Sequence, residues 1–383
     1  MSSAWRLRLL DAEQFPLLNS IRGLSICNPD ISSERTGMRH ALSRLDPRIT
    51  VDLACKLPNL EYLGCRLGVE EWNFTSANPA RKHFEHDFEG CARDARAAFA
   101  EALATAQLPP ALREVQLDFF FDLSEHLHLD EDEGGPDLVG TGQGDPFSKS
   151  LCVLAQGLKR LDLKVKADAT LFWPVQGQIP FPNLETLNVM FFPITPSGSW
   201  YFRGPAGRGA ETTGYQITDK MYPPLIDDDP EDAQWHNEDV LQAIRDPEAF
   251  RQIPNEHIMH SFLEAFAKAA QSMQSLKAFS LWSPLARGLA WGIAYARPGE
   301  PATVYTPGQD FRDYRHIWWK VGDWRPDGEL HQLFQNIGRS QYGETLLEYW
   351  NVGEEPGENH LPDQETFEES LAALPLDRLK GRV

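Results

Sequence analysis

Side chains able to do chemistry gather at a few places in this chain. His83 and Asp87, within HFEHD, fall one helical turn apart, a spacing that can put two metal ligands on one helix face. No third ligand accompanies them, and acids at a helix start meet the positive end of its dipole, so the pair reads as a solvated first turn. His126 and His128 alternate along one strand face ahead of Asp130, Asp132 and Glu133. Such a run could hold a cation or a basic peptide, but it lacks the fixed ligand positions and turn glycine of a calcium loop. Asp227, Asp228 and Asp229 lead the densest negative run, which continues through Glu231 and Asp232 to Trp235 and His236. Its chemistry would be capture of a Lys/Arg-rich segment, or simple solvation of a loop. His257 and His260 stand one turn apart at a helix start. No Gly-x-Ser-x-Gly elbow, phosphate loop or dinucleotide fingerprint is present. Gly140–Gly144 lacks the strand-to-helix setting of a phosphate cradle. These absences predict a chain without catalytic residues, metal or cofactor. An enzyme site in the aromatic second half, around His316 or His331, is the competing expectation.

The aromatic residues of that half carry a different chemistry. Tryptophan buries a large area and keeps one donor, which suits it to binding hot spots. With the acidic run, the aromatics give a candidate partner-binding set: Trp200, Tyr201, Phe202, Asp227, Asp228, Asp229, Trp235 and Trp282. The same rings would also fill a widened core. Trp318 and Trp319 are neighbours on a predicted strand, so they must face opposite sides.

One short phrase positions these groups: apolar, two spacers, apolar, one spacer, apolar. It occurs at Leu60-Leu63-Cys65, Leu112-Val115-Leu117, Leu158-Leu161-Leu163, Leu184-Leu187-Val189 and Leu276-Phe279-Leu281. Weaker versions stand at Ile21-Leu24-Ile26 and Leu347-Trp350-Val352. Each reads as the strand of a leucine-rich repeat. Apolar stripes at three- and four-residue steps predict helices over 84–106 and 258–273, with shorter ones over 38–45, 148–155 and 329–337. Two more strands are expected over 290–296 and 316–321. Thr366-x-x-Glu369 is a capping box that opens a closing helix. The loop 126–146 reads as exposed and mobile from its glycines and acids.

Phrase intervals run from 26 residues (Leu158 to Leu184) to 92 (Leu184 to Leu276), and the asparagine ladder of regular repeats is missing. The predicted fold is therefore α/β: an irregular leucine-rich-repeat-like solenoid, or horseshoe, of helix-strand units forming one domain over 1–383. Residues 192–255 form a Gly/Pro-rich acidic insertion, and residues 284–383 form atypical aromatic-rich units. A compact α/β domain with the same element order is the alternative.

Of 383 residues, 42% are hydrophobic, enough to build a core, and the formal net charge is −20. That field repels nucleic acid and anionic lipid, and favours solubility or a basic partner. No apolar stretch has the length of a membrane span and no signal segment opens the chain. The five cysteines include no C-x-x-C pair, which predicts reduced, mostly buried thiols in the cytoplasm or nucleus.

The P-N-L-E-x-L phrases at Pro58 and Pro182, ITPSGSWYFRGP after the fourth strand, and WWKVGDWRPDGELHQLFQNIG near the C-terminus carry a family likeness. At these residues the sequence resembles fungal F-box-type leucine-rich-repeat-like proteins. In that family a helix bundle docks a ubiquitin-ligase adaptor and the repeats present substrates. The resemblance thus implies a recognition platform for protein or peptide, with the adaptor as a second partner. No leucine-proline F-box signature precedes the first phrase near Ile21, so the platform is the part that carries over.

Overall fold

The computed structural model describes residues 9, 14–27, 45–66, 89–120, 130–142, 144–172, 181–222, 249–300, 313–350 and 367. The first elements are β1 (Gly23–Cys27), α1 (Arg48–Ala54), β2 (Tyr62–Arg66), α2 (Glu89–Thr105) and β3 (Glu114–Asp118). They are followed by α3 (Pro146–Leu154), β4 (Arg160–Val165), β5 (Thr186–Phe191), β6 (Phe202–Arg203), β7 (Ile253–Pro254) and α4 (Glu256–Ser272). The last are β8 (Ala278–Pro284), β9 (Ala290–Ala296), β10 (Arg315–Lys320), α5 (Gly328–Gln335), α6 (Arg339–Tyr342) and β11 (Leu346–Trp350).

Among the described residues nine strands form one sheet in chain order, β1-β2-β3-β4-β5-β8-β9-β10-β11, while β6 and β7 pair apart from it. Every pairing in the large sheet is parallel except the two made by β9. The fold is α/β with a mostly parallel sheet. Parallel neighbours need a crossover between them, which the intervening helices and loops supply. The chain reverses between β8 and β9 because only five residues join them. There Leu285 donates its N–H to the Leu289 carbonyl, and Arg287 and Gly288 take positive φ.

Register explains the phrase. Pairing aligns Leu63, Val115, Leu161, Leu187 and Phe279 in one row, and Cys65, Leu117, Leu163, Val189 and Leu281 in the next. All ten are buried in one continuous apolar core. Fully burying a side chain of this size contributes about 1.5–3 kcal/mol. The helices pack on this face: Phe266 of α4 meets Phe279 with ring centroids 4.7 Å apart, and Phe334 of α5 meets Trp319 at 5.1 Å. In α2, Cys91, Ala95, Phe99 and Ala102 of the predicted stripe are buried, with Ala92 and Leu103 buried beside them. Asp145 caps α3 by accepting from the Phe147 and Ser148 amides, with Pro146 in the first turn, where its missing N–H is no loss.

Helix α1 is not among the expected elements. Asp46-Pro47 reads in sequence as the end of a helix over 38–45, most of which lies outside the described residues. In the structure the pair begins one, since Asp46 Oδ1 accepts from the Arg48 amide at 3.0 Å.

Candidate functional site

Strand residues alternate, so the spacers of the phrase share the sheet face opposite the helices. One row there runs Gly64, Gln116, Asp162, Asn188, Ser280, Ala294, Trp318 and Tyr349. The next includes Arg66, Asp118, Lys164, Met190, Trp282, Gly292 and Lys320. From β2 to β4 this face is polar and half-exposed. The Tyr62 hydroxyl donates to Gln116 Oε1 at 3.2 Å, folded over Gly64, where a Cβ would lie 2.5 Å from that hydroxyl. Arg160 Nε donates to Asp162 Oδ2 at 2.7 Å, the Asn188 amide donates to the other oxygen, and Lys164 lies 3.6 Å from Asp118. Burial raises the Asp162 pKa, with Arg160 and Asn188 opposing the shift.

Towards β8–β10 the same face is buried and aromatic. Trp318 stacks with His316 at 5.6 Å and with Tyr349 at 5.4 Å, and His316 Nδ1 lies 3.1 Å from the Tyr349 hydroxyl. Burial lowers the pKa of His316, which favours its neutral form. Trp319 points the other way, into the helix-side core against Phe334, as strand alternation requires. Asn188 Oδ1, Ser280 Oγ and Trp282 Nε1 are buried with no hydrogen-bond partner among the described residues. Phe367 stacks flat on Trp282 at 5.4 Å.

The candidate partner-binding residues divide three ways. Trp200, Tyr201 and Phe202 are interior side chains rather than surface ones. Tyr201 packs on Phe191 and Phe262 and donates its hydroxyl to the Ala167 carbonyl at 2.8 Å, while Phe202 meets Trp291. Trp282 is buried too, but on the strand face. Asp227, Asp228, Asp229 and Trp235 lie outside the described residues, as do His83, Asp87, His126 and His128.

The described parts of 126–146 and 192–255 are docked on each other, and the burial of Glu131 and Leu138 corrects the expectation of a fully exposed loop. Arg251, 1% exposed, donates to the Glu131, Phe202 and Gly209 carbonyls and to Thr212 Oγ1 at 2.7–3.0 Å. Its guanidinium also lies 4.6 Å from the Trp200 ring centre. Burial lowers its pKa to about 10, so the cation persists at neutral pH. The buried Glu131 carboxylate accepts from the Phe250 and Arg251 amides. The glycines serve close backbone approach rather than flexibility. A Cβ on Gly198 would lie 2.1 Å from the Gly135 carbonyl oxygen, and one on Gly214 would lie 2.1 Å from that of Ser197.

Among the remaining histidines, His260 Nε2 lies 3.1 Å from Asp327 Oδ2, at the cap of α5. His331 Nε2 lies 2.7 Å from Glu348 Oε2, which also accepts from Trp319 Nε1 at 3.0 Å. Among the described residues no group of three His, Cys, Asp or Glu side chains is placed to hold a metal ion. No described helix is long and apolar enough to cross a membrane. Of the cysteines, Cys65, Cys91 and Cys152 are buried and Cys55 is half-buried; burial pushes the Cys152 thiol up to about 12.

The polar row Gln116-Asp162-Asn188-Ser280 and the Arg251 hub are absent from the candidate set drawn from sequence. The row had a signal, since each member is the single spacer between the last two apolar residues of a phrase. Arg251 had none, because its acceptors are main-chain atoms distant in sequence. Comparison with known protein families, with characterised proteins and with solved structures gives no match to this chain.

Proposed function

We propose that this chain is a non-catalytic recognition module: an irregular leucine-rich-repeat-like solenoid that binds a protein or peptide on its strand face. The observation that carries this reading is the division of the sheet. Each phrase gives its apolar residues to the helix layer, leaving the opposite face from β2 to β4 as a half-exposed polar strip. Tyr62, Gln116, Arg160 and Lys164 lie along that strip. Chain-order strands with helices packed on the apolar face support the solenoid reading, because each unit then buries itself on its predecessor. The half-exposed strip supplies hydrogen-bonding groups of both kinds and both charge signs, which suits polypeptide recognition. The family resemblance adds a ubiquitin-ligase adaptor as a candidate second partner, and the net charge of −20 favours a basic one.

The test is affinity capture from native lysate with the intact chain and with Arg160→Gln/Lys164→Gln. The expected result is a defined protein retained by the first and lost from the second, with folding unchanged by circular dichroism. Equal retention by both would remove the strand face from the proposal. Substitutions are preferable to deleting 192–255, because that deletion would also remove Tyr201, Phe202 and Arg251 from the interior.

A further inference from the structure

We infer that the partner of the strand face presents an acidic side chain to Arg66, over the floor that Tyr62 and Gln116 make across β2 and β3. This rests on the recognition reading above and names the chemistry of the partner and the residue that reads it.

The floor is set before anything binds. Tyr62 lies across Gly64, where a Cβ would be 2.5 Å from its hydroxyl, and that hydroxyl donates to Gln116 Oε1. Burial raises the Tyr62 pKa, so the phenol keeps the proton it donates. With ring and hydroxyl both held, little side-chain freedom remains to be lost on binding. The Gln116 amide nitrogen is left as a donor without a partner among the described residues. Arg66 stands two residues beyond Gly64 on the same face and is the diagonal neighbour of Gln116, about 8 Å away between Cα atoms, which long side chains span. On the outer side β1 brings Gly23 beside Tyr62 and Ser25 beside Gly64. Both are small and exposed, so neither walls off the floor.

The partners of the charged groups decide the sign of the ligand. Two carboxylates of this face are engaged inward: Asp162 accepts from Arg160 and Asn188, while Asp118 accepts from the Phe120 amide and pairs with Lys164. Both are buried, with side chains 4% and 7% exposed. Arg160 gives only part of its donor fork to Asp162 and is 27% exposed. Arg66 is half-exposed and makes no ion pair or hydrogen bond among the described residues, so its whole guanidinium fork is open. A carboxylate takes two parallel N–H donors from such a fork. Glu114, also unpaired among the described residues, sits beside Tyr62 and Arg160 and opposes an acidic ligand. It does so from four residues down the strands, about 13 Å from Arg66. The whole-chain charge of −20 acts on approach, but screening over about 8 Å at physiological salt leaves the contact itself to these local groups. A polypeptide segment that fits therefore places an Asp or Glu on Arg66 and its main chain over Tyr62 and the Gln116 amide.

The test pans a display library of random octapeptides against the full chain at physiological salt, and measures the best binder by fluorescence anisotropy. Enriched peptides should carry Asp or Glu well above their frequency in the library, and Lys or Arg below theirs. Arg66→Gln should weaken the best binder by about tenfold or more. Arg66→Lys should weaken it less, because an ammonium keeps the charge but not the fork. Glu114→Gln should tighten it by about twofold, by removing an opposing charge. Exchanging the peptide's acid for its amide should weaken binding to the unaltered chain and leave binding to Arg66→Gln unmoved, since the two changes remove one contact. Enrichment of Lys or Arg overturns the inference, as does an acidic binder that ignores a folded Arg66→Gln, or a library from which nothing is enriched. If Arg66→Gln fails to fold by circular dichroism, the composition of the enriched peptides and the sign of the Glu114→Gln effect still decide. Each of these failures leaves the Arg160→Gln/Lys164→Gln capture experiment standing, so the two readings fail separately.

Discussion

Arg251→Met is the sharpest perturbation of the way the insertion is held. Methionine keeps the stem volume but removes the cation and its fork. Four hydrogen bonds of 2.7–3.0 Å are lost, to Glu131 O, Phe202 O, Gly209 O and Thr212 Oγ1, together with the stack on Trp200. A bond to a charged group contributes about 1.5–3 kcal/mol, but bonds sharing one donor group do not add. Water cannot replace them at a side chain 1% exposed. Leaving buried acceptors without a donor costs about 1–3 kcal/mol each, and not additively, so a total on the order of 3–5 kcal/mol follows. At 1.4 kcal/mol per factor of ten, that is a loss of about two to three and a half orders of magnitude in protection against local opening. Amide hydrogen exchange followed by mass spectrometry reads this directly. Fragments covering 131–138 and 200–215 should lose protection, while those covering β3 and β4 stay as they were. Arg251→Lys should behave the same way, because an ammonium cannot reach four acceptors from one plane. Unchanged protection over 200–215 in Arg251→Met would refute the idea that this side chain holds the segments together.

Two further outcomes follow from the strand face and the glycine contact. The folded-state pKa of Asp162 lies above its ordinary 3.8, so between the two values the native state holds more protons than the unfolded chain. Its contribution to stability is thus fully present below pH 3.8 and declines as pH rises through the folded value. Asp162→Asn should therefore gain on the unaltered chain between pH 4 and pH 7 in urea unfolding; a gap that narrows with pH would contradict the assignment. Gly198 has φ of 83° and touches the Gly135 and Gly214 backbones, so Gly198→Ala should cost more than about 1–3 kcal/mol by thermal unfolding. Gly157→Ala, with nothing within 4 Å of the added Cβ, is the neutral control.

Much of the scaffold was legible because its signals are local. The strand phrases place β2 to β5 and β8, and the stripes over 84–106 and 258–273 predict helices that the described residues contain as Glu89–Thr105 and Glu256–Ser272. Trp318 and Trp319 had to part company because a strand alternates. Even the polar row of the strand face stood in the sequence, as the single spacer of each phrase. Meaning was lost where one composition serves two physical ends. Glycines in 130–142 read as freedom, yet Gly134 and Gly135 let the main chains of Thr213 and Gly198 approach. Asp46-Pro47 read as a stop, and it also opens α1.

What the sequence by itself determined is the period: which residues turn inward, and hence that strands and helices alternate with an apolar layer between them. Periodicity is a property of neighbours along the chain. The tertiary structure decided what lies across from each side chain, because those partners are far apart in sequence. Only in three dimensions does Arg251 meet the carbonyls of residues 131, 202 and 209, and only there does Gly292 leave room for Phe367 on Trp282.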